Sequence, residues 1–216
     1  MQRGRRAAQA VLAESAWQTP ALRALAAHAD RVAIVPDALY VALSALPSPG
    51  GIGFALPLGE PPKIDPRAAS VVLDRLQDAG NVGSVLRSAA AFGFVQVLAL
   101  EGTATLWSPK VLRAGMGAHF ALRLVESLDA AALAALELPL VATGSHAALA
   151  LPEARLPADC AWVFGHEGQG VRPELLARCA LAVRIPQPGG EESLNVAAAA
   201  AVCLYEALRR HGAEAA

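Results

Sequence analysis

Lysine is nearly missing from this chain: Lys63 and Lys110 are its only two, in 216 residues of formal net charge −1. Lysine-based covalent chemistry is thereby close to excluded, and a polyanion could be held only by a local cluster of arginines. Cysteine is scarce as well. Cys160, Cys179 and Cys203 are odd in number and show no C-x-x-C spacing, which argues against both a disulfide framework and a zinc site. His28, His119, His146, His166 and His211 are scattered, so no metal is expected. Long apolar runs are absent too; the longest, ending at Tyr205, is too short to span a bilayer. The basic opening Arg3, Arg5, Arg6 leads into Gln9 and Glu14 and not into a signal-peptide core, so the expectation is a cytoplasmic protein with no membrane partner. Neither G-x-G-x-x-G nor G-x-x-x-x-G-K-[ST] occurs. Gly165, Gly168 and Gly170 have the wrong spacing for the first, and no Gly-Lys pair exists for the second, which leaves an ordinary dinucleotide site or P-loop unsupported.

What remains is an apolar, alanine-rich text, 55% hydrophobic, enough for one good core and a small appended domain. The chain is organised around Val183 to Glu206, where strand, glycine loop and helix follow one another without a spacer. Ala182 to Ile185 reads as a strand closed by Pro186, whose missing N–H would interrupt a ladder. After the loop Gln187 to Glu192, either Ser193 or Asn195 can cap the helix that follows. The run Ala197 to Ala201 makes a helix face small enough for another backbone to come close.

Residues 1–62 read as Ala-rich helical text followed by Val32 to Val35, Asp37 to Leu46, a turn-rich Pro47 to Gly51 and Ile52 to Leu56, a small α/β piece. The proline-dense Gly59 to Pro66 marks the boundary, with the main domain at 63–216. From Ser70 strand and helix alternate: strand Ser70 to Leu73, helix Val82 to Phe92, strand Phe94 to Leu100, a helix begun by Ser108-Pro109, strand Phe120 to Val125, helix Asp129 to Glu137, strand Pro139 to Thr143, strand Trp162 to Phe164 and helix Pro173 to Cys179. The fold class is therefore α/β, an open and largely parallel sheet. Ligands bind such sheets at the carboxyl ends of the strands, where Asn81, Gly165 and Gly189 all fall. On the helix after Asn81, Ser84, Arg87, Ser88 and Ala91 share one face, and Val82, Val85, Leu86 and Ala89 lie elsewhere.

Three loops carry a resemblance. Asn81-Val-Gly83 with Arg87, then Val163-Phe-Gly-His-Glu-Gly-Gln-Gly-Val171, then Ile185-Pro-Gln-Pro-Gly with Ser193-Leu-Asn-Val196, are similar in order and spacing to the three motifs of the SpoU (TrmH-like) family of RNA ribose 2′-O-methyltransferases, part of the SPOUT superfamily. Ser108 to Ala118 is also family-like, and the likeness runs over about residues 69–208. Gln187 stands where the family often has Met, and Ala197 where it often has Ser. The resemblance implies a sheet with a C-terminal trefoil knot, S-adenosylmethionine held in a bent shape by the knot loops, an rRNA or tRNA substrate and a homodimer. It places Asn81, Arg87, Ser193 and Asn195 at catalytic and RNA-phosphate positions. Gly165, Ile185 and Leu194 fall at cofactor-contacting positions, with Thr143, Gly144, Glu167 and Gly170 in the same pocket. Residues 1–62 resemble a shortened L30e-like RNA-binding domain without its opening strand and helix.

A guanidinium hardly deprotonates in proteins, so Arg87 is expected to stabilise the developing alkoxide, with an RNA phosphate as the candidate proton acceptor. The arginines expected on RNA are Arg3, Arg5 and Arg6 together with Arg87, Arg113 and Arg209-Arg210. The alternative reading, from another class, is a non-catalytic RNA-binding or assembly factor that keeps the fold; the joint presence of Asn81, Arg87, Glu167, Ser193 and Asn195 speaks against it.

Overall fold

The computed structural model describes residues 6–44, 46, 48–189 and 193–214. Arg3, Arg5, residues 190–192 of the glycine loop and the His211 side chain lie outside the described part. Two compact units divide the chain, Met1–Glu60 and Pro61–Ala216.

The first unit holds β1 (Ala7–Ala13), α1 (Glu14–Trp17), α2 (Pro20–Ala26), β2 (Ala29–Val35), α3 (Asp37–Leu43) and β3 (Ile52–Ala55). A strand thus opens the described chain where alanine-rich text suggested a helix. β1 runs parallel to β2 on one side and antiparallel to β3 on the other. Being central to its sheet, it satisfies backbone groups on both edges, and this pairing overrides the helix preference of its four alanines. Ala7, Ala10 and Leu12 are buried with Ala26 and Ala29, and Trp17, Leu22 and Phe54 pack around them.

The second unit is built on β4 (Ser70–Asp74), α4 (Ala79–Ala91), β5 (Gln96–Leu100), α5 (Pro109–Gly115), β6 (Arg123–Leu128), β7 (Leu140–Thr143), β8 (Leu149–Ala150), β9 (Ala161–Gly165), α6 (Pro173–Leu176), β10 (Leu181–Arg184) and α7 (Val196–Glu214). Its seven strands lie in the order β6-β5-β4-β9-β7-β10-β8. Every pairing is parallel. Along β4, β5 and β9 every residue is buried, as expected for a parallel sheet covered on both faces. Alternate side chains feed two cores. Val71, Leu73, Trp162 and Phe164 meet Val82, Val85 and Leu86 of α4 and Ala200, Cys203 and Leu204 of α7. Val72, Leu98 and Val163 meet Leu133 and Leu175 on the opposite side.

Several boundaries differ from the periodicity reading. α4 begins at Ala79 because the Asp78 carboxylate accepts the Asn81 N–H at 2.7 Å and caps a turn the apolar pattern does not mark. After α5, Met116 and Gly117 are both left-handed (φ 46° and 86°), and a short 3-10 turn, Ala118–Ala121, replaces the expected start of the strand at Phe120. The buried His119 anchors that turn, its Nε2 2.8 Å from the Leu106 carbonyl. Residues 130–135 form a 3-10 segment and not an α-helix, and α6 is a single turn. Gly83 is required sterically: a Cβ there would lie 2.4 Å from the Ala114 Cβ and 2.7 Å from the Gly115 nitrogen, where α4 and α5 touch.

Candidate functional site

Because β4, β9, β7 and β10 are neighbours in one parallel sheet, the loops leaving their carboxyl ends stand side by side. The Gly144 N–H donates to the Val183 carbonyl at 3.0 Å, which ties the loop after β7 to strand β10. The third loop turns back on itself: His166 and Gly170 exchange backbone bonds of 3.0 and 2.8 Å, and the Gly168 N–H donates to His166 Nδ1 at 3.0 Å. Only glycine can start that turn. A Cβ on Gly165 would sit 2.1 Å from the Gly170 carbonyl carbon and 2.1 Å from the Val171 nitrogen, all backbone that cannot step aside.

A polar relay joins the first turn of α4, the loop after β9 and the start of α7. Asn195 caps α7, its Oδ1 accepting the N–H groups of Ala197 and Ala198 at 2.9 and 3.2 Å. Its Nδ2 donates to Asn81 Oδ1 at 2.9 Å, and Asn81 Nδ2 donates to Glu167 Oε1 at 3.2 Å. The Glu167 carboxylate also accepts the N–H groups of Gln77 and Asp78 at 3.2 and 3.1 Å. Both ends of this relay are of fixed polarity, N–H donors at one and a carboxylate at the other, so both amide groups can point only one way. Partial burial pushes the Glu167 carboxyl up, but its own N–H, those of Asp78 and Gln77 and the Asn81 amide outweigh that and hold it below the usual range. A carboxylate so occupied is a clamp and a poor proton acceptor.

Asn81, Glu167 and Asn195 are therefore brought together within one chain. Arg87 and Ser193 are not: both are exposed, and neither side chain makes a hydrogen bond or an ion pair among the described residues. Thr143 and Ile185 are half-buried at the ends of β7 and β10, Gly144 and Gly170 are exposed, and Leu194 is 40% exposed. Space for a Cβ is open at Gly144, Gly170 and Gly189, so backbone is accessible at close range from three adjacent loops. Main-chain donors and acceptors beside Ile185 and Leu194 suit an adenosine-bearing ligand with an apolar face. Asn195 and not Ser193 is the cap, an alternative the sequence left open.

Of the arginines expected on RNA, Arg209 and Arg210 are engaged elsewhere. Both bond Glu206, and Arg210 also reaches the carbonyls of Leu151, Pro152 and Ala154. The Arg209 and Arg210 guanidinium groups hold the Glu206 carboxyl down at about 2. Arg210 is therefore a latch between α7 and the turn 151–154, and its hydrogen-bonding edge is not free for phosphate. Arg6 pairs with Asp30.

Comparison with known proteins adds an independent line. The model of the SpoU rRNA Methylase family matches residues 68–205. An uncharacterized tRNA/rRNA methyltransferase of Synechocystis is 38% identical over 152 residues, 66% of this chain and 54% of that protein. The 23S rRNA (guanosine-2′-O-)-methyltransferase RlmB of Bordetella pertussis is 34% identical over 151 residues, 68% of this chain and 62% of that protein. The matched stretch thus spans less than two thirds of either relative. A solved RNA 2′-O ribose methyltransferase superposes with a TM-score of 0.80 at 34% identity, over 97% of this chain and 83% of that one.

Proposed function

The chain belongs to the SpoU rRNA methylase family, and from that premise we propose that it methylates a ribose 2′-hydroxyl of a structured RNA, rRNA or tRNA. The family takes S-adenosylmethionine as methyl donor, and when bound that cofactor supplies a methyl group already activated on a sulfonium. The task left to the protein is to hold the ribose oxygen in line and to stabilise the charge it develops.

The observation that carries this reading is the relay Asn195–Asn81–Glu167, which locks the three motif loops in one register. Thr143, Gly144, Gly165, Gly170, Ile185 and Leu194 hold the cofactor, mostly through backbone, and Glu167 shapes the same pocket from its edge. Arg87 stays protonated and stabilises the developing alkoxide, with Ser193 and Asn195 aligning the RNA. Since Arg87 stands apart from the relay of its own protomer, a homodimer that brings it to the partner's motif-three loop completes the site. Support comes from α7, whose Val202, Tyr205 and Leu208 are 43%, 53% and 43% exposed along one stripe. The reading includes a C-terminal trefoil knot, supported by the insertion of β10 between the earlier β7 and β8. It also includes a shortened L30e-like RNA-binding segment over residues 1–62, the methyltransferase domain over 63–216, and action in the cytoplasm. Titration calorimetry with S-adenosylhomocysteine tests it: micromolar binding is expected, and no heat from folded protein at millimolar ligand contradicts it.

A further inference from the structure

Asp74, the last residue of β4, is fully buried yet charged, and the methyl-transfer scheme above does not use it. An isolated carboxylate is costly in such a place. Here it is surrounded by donors: Oδ2 accepts the Arg172 backbone N–H at 2.8 Å, Oδ1 accepts Arg172 Nε at 2.6 Å with Nη2 also 2.6 Å away, and Arg75 Nε lies at 3.3 Å. Arg172 closes the loop that begins at His166, and Glu167 stands at its other end. One end of the loop is thus fastened by Asp74 to the end of β4, and the other by Glu167 to Gln77, Asp78 and Asn81. A third tie lies between them. Arg75, held at a left-handed φ of 63° with its N–H on Thr103 Oγ1 at 3.1 Å, donates to Gln169 Oε1 at 3.0 Å. Packing alone does not call for this, because a buried ion pair is often replaceable by apolar residues without loss of stability.

We propose that Asp74 is a positioning residue: by gripping Arg172 it sets the loop 166–172 on the segment 74–81, and so sets where Glu167 holds Asn81. The proposal rests on the methyltransferase reading for its effect on rate, but the staple itself is testable without it. Displacing a reacting geometry by about 1 Å costs on the order of a hundredfold, so loosening the loop lowers kcat.

The test compares the full-length wild type with Asp74→Asn and with Arg172→Lys, which keeps the charge but loses the forked grip. Each variant is expected to lose roughly ten- to a hundredfold in kcat. Hydrogen exchange at the Gln77 and Asp78 amides, which bond Glu167, should speed by about tenfold or more, while Val71 to Leu73 in the strand keep their protection. The double variant should be no worse than the poorer single one, since both remove one grip. Wild-type kcat, unchanged protection at 77 and 78, or uniform loss of protection through β4 overturns the proposal, the last because it marks a purely structural role. If Asp74→Asn fails to fold, Arg172→Lys decides by the same readouts. Should the wild type transfer no methyl group at all, the functional reading falls, and the exchange pattern still decides whether the staple exists.

Discussion

The two sheets of this chain bury their strands differently. In the second unit β4, β5 and β9 are covered along their whole length, whereas β2 of the first unit is exposed from Asp30 to Val32 and again at Ile34. A parallel sheet covered on both faces is a stiff platform whose side chains have little room to shift. Loops that must agree to a fraction of an ångström leave from that platform, and they are tied to one another by side-chain bonds across 86, 90 and 114 residues of sequence. The first unit, with one edge strand largely in solvent, offers no comparable base for such loops.

The same substitution placed in each unit should separate them most sharply. Gly165→Ala forces a Cβ to within 2.1 Å of backbone, and is expected to destabilise the second unit by roughly 3–5 kcal/mol and to abolish S-adenosylhomocysteine binding in calorimetry. Gly53→Ala in β3 meets only the Tyr40 hydroxyl at 3.5 Å, an ordinary contact, so melting should shift by less than about 1 kcal/mol in either direction. Equal effects would erase the contrast between the two scaffolds.

Within the second unit, Asn81→Asp exchanges the donor facing Glu167 for a second carboxylate. The relay then breaks by repulsion, and kcat should drop by about 10²–10³-fold. Arg87→Ala should cost a similar 10²–10³ in kcat, again with affinity retained, because its work is confined to the RNA and the transition state. Near-wild-type turnover of Arg87→Ala would return that side chain to the solvated surface.

Much of this platform was legible in the amino-acid text, and the exceptions have physical causes. Ser70 to Leu73 and Trp162 to Phe164 are short apolar runs with no competing pattern, and they are strands. Ala7 to Ala13 carries a helix former's composition, and only its two neighbours in the sheet make it a strand. The motif residues could be named, yet the relay could not, because no local rule links Asn81 to Glu167 or Asn195. Asp74 and Arg172, 98 residues apart, left no signal at all. Arg209 and Arg210 are adjacent cations that suggest phosphate, yet both pair with Glu206 one turn back, and Arg210 also bonds the carbonyls of turn 151–154.

The smallest expected effect is on pH dependence. Burial lowers the His119 pKa, and its bond to the Leu106 carbonyl raises it only in part. The folded state therefore prefers neutral imidazole, and the unfolded state binds the extra proton below the ordinary value near 6.5. Its contribution to stability is fully present above that value and is lost as pH falls towards the depressed folded value. Denaturant melts at pH 7.5 and 5.5 should show this loss, and His119→Gln should reduce it, with no corresponding change in the first unit.

The ribose is the acceptor on which the proposed activity depends. Incubating the protein with methyl-labelled S-adenosylmethionine and a mixed pool of unmodified rRNA and tRNA, then hydrolysing the RNA in alkali, addresses this directly, because a 2′-O-methyl group blocks cleavage of the adjoining phosphodiester. Label is expected in alkali-resistant dinucleotides from a limited set of sites. Label recovered only in mononucleotides carrying base methylation, or no label from protein that binds S-adenosylhomocysteine, would contradict it.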